Sequence, residues 1–315
     1  MSLQIRRLGV FVLAVLMLAT TDRARAAVIV TSVANTGSYT PDEMTVDRAN
    51  GEIYLLGFPS PSAFASVVKV SGGGVTTLYS TLPGTTGGNL TYSNGFAVDG
   101  VNLWWNNANS GPGGNTELSR APKTGAGPIT RTSPANDLDS LSYGGTALYS
   151  AHYAGSLYSV TPTGGLTGLG FYRSTSHLTL AGDGGSLYVA DDTGAYVRNP
   201  GGTFTNIIAA PSTYRTNGSR LAVSDGYLWA LDRTNFNGFW QIPIGGGAAT
   251  FITDPAFTDL RSIGYYNGDV FVADTGGAGA GNVWQVTVPE PASASLVLIG
   301  AAVLTCARQR RGSRG

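Results

Sequence analysis

One pattern recurs six times along the chain and limits what it can fold into. It consists of an apolar strand, a turn pair, and a second strand with an aromatic near its start. The segments read M-T-V-D-R-A-N-G-E-I-Y-L-L (44–56), F-A-V-D-G-V-N-L-W-W (96–105) and L-S-Y-G-G-T-A-L-Y-S (141–150). The other three are L-A-G-D-G-G-S-L-Y-V-A (180–190), L-A-V-S-D-G-Y-L-W-A (221–230) and I-G-Y-Y-N-G-D-V-F-V-A (263–273). The turn pairs are Asn50-Gly51, Asp99-Gly100, Gly144-Gly145, Asp183-Gly184, Asp225-Gly226 and Asn267-Gly268. Such pairs tolerate the positive φ of tight hairpins, so the pattern predicts six β-hairpins in register.

The aromatics set the period. Tyr54, Trp104, Tyr149, Tyr188, Trp229 and Phe271 are separated by 50, 45, 39, 41 and 42 residues. That is the length of a four-stranded propeller blade. Third and fourth strands follow the hairpins, as in V-V-K-V-S-G-G-G-V-T-T-L-Y (67–79), L-Y-S-V-T-P-T-G-G-L-T-G-L (157–169) and F-W-Q-I-P-I-G-G-G-A-A-T-F-I (239–252). The sixth unit stops at its third strand, N-V-W-Q-V-T-V (282–288). The segment A-V-I-V-T-S-V (27–33) can supply the missing fourth strand and close the ring, which removes two open sheet edges. The expectation is an all-β, six-bladed β-propeller over 27–288. A seven-bladed ring, with a blade hidden in the long first interval, and a β-helix are the alternatives. Forty-five glycines and only 12% charged residues agree with short strands and many turns.

Both ends read as addresses. Arg6 and Arg7 precede an apolar run from Leu8 to Ala19 and then A-R-A at 24–26. This is the tripartite order of a secretory signal peptide, removed after Ala26. At the other end stands V-P-E-P-A-S (288–293), then an apolar stretch 294–307, then Arg308, Arg310, Arg311 and Arg314. Prolines on both sides of Glu290 keep that motif extended and accessible. The apolar stretch is short for a bilayer but can enter one, and the arginines hold its far end on the cytoplasmic side. The expected domains are therefore 1–26, 27–288 and 289–315.

Val288, Pro289, Glu290 and Pro291, with the apolar segment and basic end in that order, resemble the PEP-CTERM family of sorting signals. The resemblance covers the last 28 residues. It implies recognition by an exosortase, a membrane protease-transpeptidase, in a bacterium that makes exopolysaccharide or biofilm matrix. The chain would cross the inner membrane and be held there transiently through 294–307. It would reach the periplasm, cell surface or extracellular space after tail processing. In the alternative, the tail is never cut and the protein stays anchored in the envelope.

Between Ala27 and Pro291 there are 11 basic and 18 acidic residues, a net of −7. That balance does not suit a nucleic-acid binder. The lone cysteine, Cys306, lies in the tail, so the middle has no disulfide.

Candidate chemistry is confined to one position. Three residues past each strand aromatic stand Gly57, Asn107, His152, Asp191, Asp232 and Asp274. Placed around a propeller axis, such groups suit Ca²⁺ or Mg²⁺. In the competing reading, each accepts N–H bonds within its own turn. The sixth unit, V-F-V-A-D-T-G (270–276) with N-V-W-Q-V (282–286), resembles an NHL repeat and the lactonase-type propellers. Only units four to six keep the V/A-x-D ending. The lactonase-type resemblance implies a metal near the axis and a lactonase- or lyase-like activity.

No catalytic residue is assigned. His177 reads as a blade-surface residue, no nucleophile elbow occurs, and the G-G-G runs at 72–74 and 245–247 read as turns. Trp105, Tyr153, Tyr172 and Tyr265 are aromatics that, if exposed, would stack on sugar rings or a partner protein. The functional expectation is a non-enzymatic binding or scaffold module for a polysaccharide or surface protein. A metal-dependent lactonase- or lyase-like enzyme is the alternative.

Overall fold

The computed structural model describes residues 28–288, except 61–63, 81, 83–94, 108–116, 133–137, 153, 173–177, 210–219, 225, 233 and 277–280. The expected signal peptide (1–26) and the tail from Pro289 onward, with Glu290 and Pro291, lie outside the described residues, as do Tyr153 and His177. Among the described residues no helix is long and apolar enough to cross a membrane.

Strand β1 (Ile29–Gly37) comes first in the chain but belongs to the last blade. Blade 1 is β2 (Tyr39–Val46), β3 (Ile53–Pro59), β4 (Ser66–Ser71) and β5 (Gly74–Tyr79). Blade 2 is β6 (Phe96–Val98), β7 (Asn102–Asn107), β8 (Glu117–Pro122) and β9 (Thr130–Thr132). Blade 3 is β10 (Leu138–Tyr143), β11 (Leu148–His152), β12 (Ser156–Val160) and β13 (Leu166–Phe171). Blade 4 is β14 (Thr179–Asp183), β15 (Ser186–Asp191), β16 (Gly194–Arg198) and β17 (Phe204–Ala209). Blade 5 is β18 (Leu221–Ser224), β19 (Tyr227–Leu231), β20 (Gly238–Pro243) and β21 (Thr250–Thr253). Blade 6 is β22 (Leu260–Tyr266), β23 (Asp269–Asp274), β24 (Gly281–Thr287) and then β1.

The first strands β2, β6, β10, β14, β18 and β22 lie side by side in that order, and β22 lies against β2. Within 30–286 the six sheets therefore form a closed ring, a six-bladed β-propeller. The closing strand is the N-terminal one, where the unfinished sixth repeat required it. Neither the seven-bladed ring nor the β-helix is formed.

The core lies between blades, so the second strands are buried on both faces. Strand β15 shows this as a near-continuous apolar run, Leu187, Tyr188, Val189 and Ala190, all buried. Consecutive residues point to opposite faces of a strand. Trp105 accordingly packs with Tyr54, Leu56 and Phe96 between blades 1 and 2, while Trp104 packs with Leu141 and Leu148 between blades 2 and 3. Trp229, Phe239, Phe257 and Trp284 form an aromatic series in blades 5 and 6, with centroids 6.2 to 6.5 Å apart.

The six hairpins are present, but their turns differ. Asn267 and Gly268 form the tight pair expected, both with positive φ (51° and 92°). In blade 4 the turn is shifted by one residue to Gly184 and Gly185, because Asp183 still pairs with Ser186. In blades 1 to 3 the connections widen to 47–52, 99–101 and 144–147. Aspartate side chains explain two of these wider loops. Asp47 accepts the Ala49 N–H at 2.9 Å, and Asp99 accepts the N–H groups of Val101 and Asn102 at 3.0 and 2.7 Å.

Candidate functional site at the propeller axis

The first strands run side by side in the same direction, and hydroxyl side chains stitch them together across blades. Ser140 accepts the Leu180 N–H at 3.4 Å, and Ser142 accepts that of Gly182 at 3.1 Å. Thr179 accepts the Arg220 N–H at 3.3 Å, and Ser262 accepts that of Met44 at 2.9 Å. These four are missing from the sequence reading, in which they look like ordinary strand serines and threonines. The signal available for Ser140, Ser142 and Thr179 was their placement, 40 or 41 residues before the residue that each one bonds, whereas Ser262 bonds back to blade 1 where the ring closes.

A small cavity of about 60 Å³ lies on the axis, lined by residues of all six first strands. An arginine reaches across the ring near each end of the first strands, and Arg48 also lines the cavity. At the end where the first strands stop, Arg48 leaves blade 1 and reaches the far side of the ring. It donates to the Asp183 carboxylate at 2.7 Å, to the Gly182 carbonyl at 2.8 Å and to the Val223 carbonyl at 3.2 Å. At the end where they start, Arg220 of blade 5 reaches blade 1. It donates to the Asp42 carbonyl at 2.8 Å and lies 3.3 Å from the Glu43 carboxylate. The two sites differ in their access to water. Arg220 and Glu43 are buried, whereas about a third of the Arg48 side chain and 46% of the Asp183 side chain remain exposed.

The structure does not place the predicted carboxylates on the axis. Asp191, Asp232 and Asp274 stand at the ends of second strands, while the axis is lined by first strands. Each is fully occupied locally. Asp191 accepts from the Thr193 N–H and hydroxyl, the Gly194 N–H and the Tyr172 hydroxyl, at 2.7 to 3.2 Å. Asp232 accepts from Thr234 N–H and hydroxyl, Asn235 N–H and the Trp240 indole, at 2.6 to 2.7 Å. Asp274 accepts from Thr258 N–H and hydroxyl, Asp259 N–H and Gly276 N–H, at 2.6 to 2.9 Å. His152 uses Nδ1 to accept the Ala154 N–H at 3.0 Å. Asn107 ends β7, opposite Glu117. Among the described residues no three His, Cys, Asp or Glu side chains converge as a metal site. The aspartates at this position thus tie down nearby loops: Asp191 and Asp232 bond the turn that follows their own strand, and Asp274 bonds mainly residues 258 and 259 ahead of β22.

The aromatics divide. Trp105 is fully buried, which removes it as a stacking platform, because its blade packs against blade 1 there. Tyr172 packs edge-on against Tyr196 and Phe204, with centroids 5.2 and 4.8 Å away. Tyr265 and Tyr143 border the axial cavity on the Arg48 side. On the same side of the ring an ionic cluster joins blades 1 and 2: Lys69 bonds Glu52, Lys123 bonds Asp47, and Tyr54 donates to Glu52 at 2.6 Å. Lys69, followed by the Tyr54 hydroxyl, holds the Glu52 carboxyl down at about 2.

No family model and no curated protein matches the chain. Among solved structures it is similar to a chain of a nidogen/laminin complex, with a TM-score of 0.51 and 11% identity, over 71% of this chain and 86% of that one. Weaker matches are the Cps50 (Swd1) β-propeller domain of Myceliophteria thermophila and a glutaminyl cyclase of Myxococcus xanthus. The first has a TM-score of 0.48 and 10% identity, over 83% of this chain and 100% of that one. The second has 0.43 and 15%, over 63% and 92%. At these identities the likeness is one of fold.

Proposed function

We propose that the chain is an exported bacterial surface or matrix protein, sorted through its tail by an exosortase, with the propeller as its binding or scaffold module. The observation that carries the reading is the sequence V-P-E-P at 288–291, followed by an apolar stretch and a basic end. The fold supports the second half of the reading, because a β-propeller presents a rigid ring of loops suited to binding or scaffolding. Strand β24 ends at Thr287, so the motif begins one residue past the last strand. A protease acting at Pro289 to Pro291 would meet no strand of the ring.

The partner in this reading is a polysaccharide or a surface protein in an exopolysaccharide matrix. The hydrogen bonds that Asp191, Asp232 and Asp274 accept from nearby loops support reading these carboxylates as structural ties within the binding or scaffold module. The test is to express the full chain with and without an exosortase and follow both ends by epitope tags. Loss of the C-terminal tag only in the presence of the exosortase, with the propeller reaching the surface, supports the proposal. Retention of the tag under both conditions overturns the sorting step and leaves a permanently anchored protein.

A further inference from the structure

The end of the axis that Arg48 crosses is built from hydrogen-bond acceptors. Gly182 and Val223, in the first strands of blades 4 and 5, present carbonyl oxygens, and Asp183 adds a carboxylate. The guanidinium that meets them belongs to another blade and arrives from a loop 135 residues away. It divides its donors among them: one terminal nitrogen serves Asp183 and the other serves both carbonyls. The ion pair is open to water on both sides, so the arm is held only weakly. Under it the axial cavity opens, lined by Arg48 itself and bordered by Tyr143 and Tyr265.

We propose that this mouth is a binding site for small organic cations bearing N–H donors, guanidinium or primary ammonium, and that Arg48 is its tethered occupant. The ligand class follows from the acceptors. One carboxylate with two neutral carbonyls balances a single positive charge, and the three oxygens lie where separate N–H groups can reach them at once. An anion would meet only oxygens. A hard metal ion such as Ca²⁺ calls for six or more oxygen ligands, against three here. An external cation therefore competes with Arg48 in the native protein and binds freely once that side chain is shortened. The inference does not depend on the fate of the tail.

The test uses the full chain, the substitution Arg48→Ala and, in parallel, Arg48→Gln, which keeps most of the side-chain length. Thermal melting is followed in guanidinium chloride at about 50 mM, low enough to limit general denaturation, against sodium chloride and tetramethylammonium chloride at equal concentration. Guanidinium is expected to raise the melting temperature of the Arg48 variants by about 2 °C over sodium, and to leave the unsubstituted chain unchanged or slightly lowered. Tetramethylammonium, equal in charge but without N–H donors, should give no rise. Adding Asp183→Asn to either variant should abolish the rise. The proposal is overturned if guanidinium acts alike on the variants and the unsubstituted chain, if tetramethylammonium works as well, or if the effect survives Asp183→Asn. Should Arg48→Ala fail to fold, the Arg48→Gln comparison decides the matter by the same criteria.

Discussion

Arg220 and Glu43 meet 3.3 Å apart across the axis, joining blade 5 to blade 1 past the whole of blade 6. Glu43 is 1% exposed and Arg220 is 8% exposed, so neither charge can turn to water if the other is removed. Arg48 and Asp183 make the corresponding connection at the opposite end, but in contact with solvent.

This difference sets the first prediction. Arg220→Ala should destabilise the protein by about 3 kcal/mol, because it takes a charge partner from a buried carboxylate. Arg48→Ala should lose about 1 kcal/mol or less, as exposed pairs do. Urea denaturation of the two variants in parallel measures both, and equal losses would contradict the assignment of one pair as buried and the other as exposed.

Asp232 carries the second prediction. Its four accepted hydrogen bonds fix residues 234 and 235 and the Trp240 indole. Asp232→Ala releases the exposed residues 234 and 235 and leaves the half-buried Trp240 indole without this acceptor, and should cost about 1.5 kcal/mol. Because the carboxylate is already saturated, added Ca²⁺ should leave the melting temperature of the unsubstituted protein where it is. A calcium-dependent rise, lost in Asp232→Ala, would reinstate the metal reading.

Gly182 carries the third. A Cβ there would lie 2.8 Å from the Gly144 Cα and 2.8 Å from the Tyr149 ring. Both belong to the neighbouring blade, and the first of these atoms is backbone. Gly182→Ala should therefore destabilise by about 2 kcal/mol through overpacking, despite the higher β-propensity of alanine. A melting temperature equal to that of the parent would show that blades 3 and 4 can move apart without loss.

Glu52 gives the pH dependence. Its carboxyl titrates at about 2 in the folded protein, against 4.5 for a free glutamate side chain. The unfolded chain thus takes up this proton more readily. The stabilisation is complete above about 4.5 and is lost as the pH falls through about 2. Its size should be about 1 kcal/mol, since the cluster is open to solvent screening. Glu52→Gln should be less stable than the parent at neutral pH and equal to it near pH 2, by denaturant unfolding across that range. A constant gap would assign the loss to packing instead.

The fold was legible in the chain because each blade repeats the same buried aromatic. Tyr54, Trp104, Tyr149, Tyr188, Trp229 and Phe271 all pack between blades at 0 to 8% exposure, and that demand is visible as a period. The missing fourth strand of the last unit was legible for the same reason, as a count that did not close. The axis was not. Arg48 and Asp183 are 135 residues apart, and Arg220 bonds a carbonyl 178 residues away. No local pattern announces a partner at that distance. The aspartates left two readings open, convergence on the axis or bonds to nearby loops, because equivalence in the repeat does not fix where a side chain finds its partners. Asp191, Asp232 and Asp274 are equivalent and stand at the ends of second strands, where Asp191 and Asp232 share one local turn arrangement and Asp274 bonds the loop before β22 instead.

Ring closure supplies the last prediction. Strand β1 is the outer strand of blade 6, and it also touches blade 1. Ala34 is buried with Met44, Val68 and Val283, and the Asn35 N–H donates to the Gly73 carbonyl at 3.1 Å. A chain beginning at Ser38 would lose that contact and leave β24 as an open, mostly uncharged edge, a template for pairing with other chains. Its unfolding should lose cooperativity and its elution should shift to oligomers. A peptide covering 28–37, added in excess, should reverse both by refilling the edge. Ending the chain at Val288 should do neither, because every described strand is retained. The melting temperature of that truncation should match that of the full chain to within about 1 °C. A large loss of stability on removing 289–315 would mean that the tail is part of the fold, and would count against its role as a removable signal.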